Sequence, residues 1–116
     1  MPFDSIQTAP IANQLRNLLG PNGEHWCKNV FEDSRGRMCL LGALGKLYQW
    51  QESEEPKYNR ALHLLTQAIQ QRRRLVGSAV VVQQFNDADS TDWQQIATVL
   101  GRLEQIEVTH GIATVG

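Results

Sequence analysis

The residues best suited to chemistry in this chain of 116 residues fall into two clusters. The first is Gly36-Arg37-Met38-Cys39, which leads into an apolar segment. A thiol in the first turn of a helix meets the positive end of the macrodipole, and Arg37 adds a neighbouring cation. Both favour the reactive thiolate. A nucleophilic cysteine also needs a base. His25, His63 and His110 are the candidates, with Asn86 or Asp87 available to orient an imidazole as in Cys-His-Asn enzymes. No spacing enforces that arrangement, and a cysteine at a helix start is more often a small core residue. Cys39 therefore stands as the alternative catalytic residue, and the leading reading has none. The second cluster is Phe85-Asn86-Asp87. An amide beside a carboxylate can read a base, an amide or a sugar. The same residues are also common in turns, where they bond their own backbone.

Three further sets carry weaker signals. His25, Cys27, Cys39 and His63 have metal-binding atoms but lack the paired spacings of a structural zinc site, so no metal is expected. Arg72-Arg73-Arg74 suits an anion or a nucleic-acid backbone. Consecutive helical residues point about 100° apart, so the three do not face one partner. Arg72 extends an apolar stripe and is the one retained as an anion ligand. Among Trp26, Trp50 and Trp93, Trp93 is in phase with a helix core. Trp26 stands on an irregular segment and offers a flat wall for a base or a cation.

These residues need elements to hold them. Thr8 and Pro10 open a first helix, whose stripe is Ile11, Leu15, Leu18 and Leu19. Gly20-Pro21-Asn22-Gly23 ends it. Residues 24–33 read as a short strand or extended loop, and Ser34-Arg35-Gly36-Arg37 as a turn. Residues 38–50 are apolar on several sides, which marks a central helix. Gly42 and Gly45 each cost up to about 1 kcal/mol in such a helix, which points to close approach of another backbone or a ligand. After the acidic connection Glu52 to Pro56, a helix runs from Pro56 to Leu75 on Tyr58, Ala61, Leu62, Leu65, Ala68 and Ile69. Gly77 breaks it. Residues 79–85, rich in valine, read as extended. Thr91 and Gln94 form a capping box for a last helix carrying Trp93, Ile96, Ala97, Leu100 and Leu103 and fraying near Val108. The expected fold is mainly α. It is a single compact domain over 1–116 with four helices and two short extended segments, 25–31 and 79–85, as candidates for a small β-ribbon. Residues 1–7 and 110–116 read as loose tails.

Composition bounds the function. Eleven Lys and Arg against twelve Asp and Glu leave a net charge of −1, and 41% of residues are hydrophobic. Charge-driven disorder, collagen and disulfide-dense scaffolds are excluded, and near-neutrality disfavours nucleic acid as a partner. There is no apolar window of membrane-spanning length and no secretory pattern at the start, so a cytoplasmic location with Cys27 and Cys39 as thiols is expected. Walker, Rossmann, His-Glu-x-x-His and Gly-x-Ser-x-Gly signatures are missing, and no cofactor is expected.

The order Trp26-Cys27-Lys28, then Asp33 to Leu44 with its Asp-x-x-Gly-Arg-x-Cys-Leu-x-Gly-Ala-Leu pattern, then Phe85-Asn86-Asp87 before the helix from Thr91, resembles the DUF6197 family. These are small bacterial and phage proteins of unknown function. The resemblance covers roughly residues 24–103. It implies that Trp26, Arg37, Cys39, Gly42, Asn86 and Asp87 recur together, either lining one site or serving as a folding signature. The expected function is a small non-catalytic binding protein, phage-encoded and counter-defensive in role. It would bind a host protein or sequester a small anionic or nucleotide ligand. The site would use Trp26 for stacking, Arg37 and Arg72 for an anion, and Asn86 with Asp87 for polar recognition. Self-association would let so small a domain build a pocket at a symmetric interface. The alternatives are a cysteine enzyme centred on Cys39 and an interaction module using Arg72 to Arg74.

Overall fold

The computed structural model describes residues 10–48, 55–71 and 78–109. Five helices account for most of them: α1 (Ile11–Leu19), α2 (Leu40–Tyr48), α3 (Glu55–Gln70), α4 (Ala79–Asp87) and α5 (Trp93–Thr109). Among the described residues there is no strand. The tails, Thr8, Trp50, Arg72 to Arg74, Gly77 and His110 lie outside the described residues.

The apolar stripes do what their periods require. Helix α2 buries Leu40, Leu41, Gly42, Ala43, Leu44 and Gly45, which makes it the central helix. It packs against α1, α3 and α4, while α5 closes the other side against α1 and α3. Leu15 and Leu19 of α1, Leu65 of α3, Val82 of α4 and Ile96, Leu100 and Leu103 of α5 are fully buried. In the last helix Val99 takes the core position that the spacing assigned to Ala97, which is exposed.

Two expectations need correction. Residues 79–85 are helical, which makes five helices among the described residues where four were expected, and the ribbon with 25–31 does not form. Ser78 caps α4 by accepting from the Val81 N–H at 3.2 Å, and Val82 and Asn86 share the buried face one turn apart. Burial at helical spacing outweighs the modest helix penalty of three valines, roughly a few tenths to 0.7 kcal/mol each. Segment 25–31 instead meets the chain at Met38, where single bridges join Trp26 to Met38 and Glu32 to Met38. The second correction concerns α5, whose capping box is one residue later than read. Asp92 accepts from the Gln95 N–H at 3.2 Å, and the Gln95 side chain accepts from the Asp92 N–H at 3.0 Å. Thr91 is buried instead.

The start of α1 has no side-chain cap of its own. Its first two N–H groups, Ile11 and Ala12, donate to the Glu107 carboxylate at 2.7 and 3.0 Å. Glu107 is fully buried, one turn beyond Leu103 on the apolar stripe of α5. A buried carboxylate is tolerated here because it faces the positive end of a helix dipole and two donors with no other helical partner. Arg16 adds an ion pair to Glu104 at 2.6 Å, half in solvent and worth little alone.

Glu107→Ala is expected to cost about 2 to 4 kcal/mol in urea unfolding, because two buried N–H groups lose their acceptor. Glu107→Gln, which keeps one oxygen, should lose less. A loss under about 0.5 kcal/mol for the alanine variant, the range of an ordinary surface change, would show that α1 does not depend on this carboxylate.

Candidate functional site

Helices α1 and α2 are joined by residues 20–39, twenty residues without a helix or strand of their own. Connections longer than about 12 to 15 residues are uncommon in small domains and are usually functional or disordered. This one is held in place. Gly20, Gly23 and Gly36 adopt positive φ where the path turns. At Gly23 a Cβ would lie 2.6 Å from the Trp93 ring, so the chain passes there only without a side chain. Asp33 organises the tip: one carboxylate oxygen accepts from the Arg35 and Arg37 N–H groups, each at 2.9 Å, and the other takes Arg37 Nε at 2.6 Å. Burial raises the Asp33 pKa, but the bonds from Arg37 and Arg35 outweigh it and hold the carboxyl below its usual range.

Asn86 holds the loop from inside. It is fully buried on α4. Its side-chain oxygen accepts from Trp26 Nε1 at 2.8 Å and from the Leu40 N–H at 3.1 Å. Its amide nitrogen donates to the Cys27 carbonyl at 3.1 Å and to Asp87 Oδ1 at 2.9 Å. That uses the whole bonding capacity of a carboxamide. One side chain thereby joins the loop's beginning, the first turn of α2 and the end of α4. Asp87 Oδ1 also accepts from the Asn29 N–H at 2.8 Å, and Lys28 Nζ donates to the Ala88 carbonyl at 2.7 Å. The Lys28 ammonium lies 5.8 Å from the Trp26 ring centre, and Trp26 packs on Trp93 at 6.1 Å between ring centres.

The structure therefore brings Trp26, Asn86 and Asp87 into direct contact. Arg37 belongs to the same loop, but its Nε is bonded to Asp33. Arg72 lies outside the described residues. Gly42 meets the expectation of close approach: a Cβ there would collide with the Phe31 carbonyl oxygen.

Cys39 flanks the same cluster. Its sulfur accepts from the Gly42 N–H at 3.3 Å, and its own N–H donates to the Phe31 carbonyl at 3.2 Å. Burial pushes its pKa up, and the backbone N–H groups of Gly42 and Leu41 do not reverse that. The environment favours the protonated thiol over the thiolate that nucleophilic work needs. His25 is exposed, and His63 bonds Gln67 at 2.9 Å. Among the described residues no three His, Cys, Asp or Glu side chains gather as metal ligands. No described helix is long and apolar enough to cross a membrane.

A family model described as a family of unknown function, DUF6197, matches residues 7–105 of the chain. The chain belongs to the DUF6197 family. No curated protein and no solved structure matches it. The matched span of this DUF6197 chain takes in all of the loop, Asn86, Asp87 and most of α5. The DUF6197 pattern contains the pinning residues but not Glu107, and it does not mark Val30 and Phe31 as exposed. Glu107 announces itself as a carboxylate in phase with an apolar stripe. Phe31 is 52% exposed, and Val30 beside it is 47% exposed; their sequence gave no sign of which way the loop would turn them.

Asn86→Ala is expected to lose about 3 kcal/mol or more in urea unfolding, since it strands an indole N–H, a helix-start N–H and a carbonyl together. Asn86→Asp should also destabilise, because it removes both donors and sets a carboxylate against Asp87. Equal stability of either variant and the wild type would contradict the network. Gly42→Ala should cost about 1 to 3 kcal/mol through overpacking, measured in the same way.

Proposed function

We propose that this chain is a non-catalytic binding protein that presents residues 27–37 as a preorganised recognition loop to a protein partner. The observation that carries the reading is the contrast between the two sides of that loop. Inside, three hydrogen bonds tie Cys27, Lys28 and Asn29 to Asn86, Ala88 and Asp87, and two more tie the flanking Trp26 and Leu40 to Asn86. Outside, adjacent Val30 and Phe31 are about half exposed. Ordering a backbone costs about 1 to 2 kcal/mol per residue, so a long irregular loop is held this firmly only where other interactions offset that cost. A loop ordered beforehand does not lose that entropy again on binding. An aromatic side chain on a rigid frame is the usual kind of anchor at a protein interface.

Small-ligand sequestration is the other arm of the binding reading. At the expected site it has less support, since the polar atoms of Asn86 are all engaged within the fold and a ligand would have to displace Trp26 or Leu40 from them. A role against host defence would follow from the identity of the partner.

The test is affinity capture from the source cell's lysate with immobilised wild type, Phe31→Asp, and Val80→Asp as a control at an exposed apolar position on α4. Native mass spectrometry of the purified protein accompanies it. A protein captured by the wild type and the Val80 variant, and lost by at least about tenfold with Phe31→Asp, supports the reading. Capture that is indifferent to Phe31, or a retained small molecule with no protein partner, overturns it.

A further inference from the structure

The loop contains a pair of cysteines whose relation is set by the bridge at Met38. Trp26 and Met38 form a parallel bridge through the Cys27 N–H to the Met38 carbonyl, at 3.0 Å, and the Met38 N–H to the His25 carbonyl, at 2.7 Å. Cys27 and Cys39 are each one residue beyond that bridge, on adjoining stretches of chain linked there through Asn86, which bonds the Cys27 carbonyl and the Leu40 N–H, and the charge of Cys39 reaches the Cys27 thiol. At the bridge itself, neighbouring extended chains run about 4.8 Å apart. Disulfides span Cα separations of about 4.4 to 6.8 Å. We propose that Cys27 and Cys39 are a thiol pair that oxidises to an intrachain disulfide, closing the recognition loop covalently at its base.

Access to the two thiols is unequal, and that sets the order of events. Cys27 is partly exposed, whereas Cys39 is 3% exposed. With a small disulfide such as oxidised glutathione, the Cys27 thiolate attacks one sulfur and releases one glutathione thiolate. The Cys39 thiolate then attacks the Cys27 sulfur, forms the Cys27–Cys39 bond and releases the second glutathione. The two protein sulfurs are oxidised, one glutathione disulfide is reduced to two thiols, and the two protein protons end on those thiols. Burial pushes the pKa of both cysteines up, and each feels a nearby charge: Cys27 that of Cys39 and Asp33, Cys39 that of Asp87. The reaction should therefore quicken as pH rises through the thiol range.

The surroundings tolerate the change. The Cys27 thiol donates to the Arg37 carbonyl at 3.2 Å, and that carbonyl also accepts from the Asp33 N–H at 2.8 Å. Losing the thiol proton leaves it bonded. A disulfide sulfur keeps the lone pairs with which Cys39 accepts from the Gly42 N–H. This inference does not depend on the binding reading, since it concerns only what the two sulfurs can reach.

The experiment treats the folded chain with oxidised glutathione at mildly alkaline pH and reads intact mass, alkylatable thiols and linked peptides. The expected result is loss of two hydrogens, loss of both alkylatable thiols and a peptide joining Cys27 to Cys39. Cys39→Ser should instead hold one glutathione on Cys27. Accumulation of wild-type protein carrying one glutathione with Cys39 still alkylatable would overturn the pairing. So would a pair that closes only in urea. Both outcomes are read on the wild type, so they stand even if the Cys39 variant does not fold.

Discussion

A carboxamide with four bonding directions, all used, is the constraint on which the loop side of this structure depends. Asn86 sits in the dry interior, where an unmade hydrogen bond is far more costly than at the surface. Its oxygen and nitrogen are therefore satisfied only if Trp26, Cys27, Leu40 and Asp87 all arrive together. Three separate stretches of chain must meet at one side chain. The path of residues 20–39, the start of the central helix and the position of the Trp26 indole over Trp93 all follow from that meeting. Such a node is cooperative, because each bond holds the carboxamide where the others need it.

Glu107 plays the matching part at the opposite end of the chain. It links the beginning of α1 to the end of α5, residues more than ninety positions apart, through two backbone N–H groups. In both places a buried polar side chain does what an apolar contact cannot, since directional bonds fix one register and reject neighbouring ones. Between the two nodes, the leucine-rich faces of α2, α3 and α5 supply the non-directional part of the stability.

The central helix was legible in the sequence because Leu40 to Leu47 is apolar on several sides, and Gly42 was legible as a contact point because a glycine has a cost in a helix that must be offset. The valines at 80–82 misled, since local preference for strand competes with the buried face that Val82 and Asn86 make at helical spacing and with the Ser78 cap. Thr91 misled by one position because Asp92 and Gln95 make an equally good box. Trp26, Asn86 and Asp87 were legible as belonging together, through the family pattern. Their mutual bonding was not, because it is made across sixty residues by atoms whose directions are set only once the helices pack. The exposure of Val30 and Phe31 was illegible for the same reason.

The central claim is that residues 20–39 form a fixed surface and not a mobile connection. Amide hydrogen exchange on the wild-type protein tests it most directly, at the N–H groups of Asn29 and Leu40, whose acceptors are the side chains of Asp87 and Asn86. The account expects both to be protected to an extent comparable with Leu44 in the middle of α2, because all would open together. Exchange of Asn29 and Leu40 at the rate of an unstructured loop, with Leu44 still protected, would contradict it.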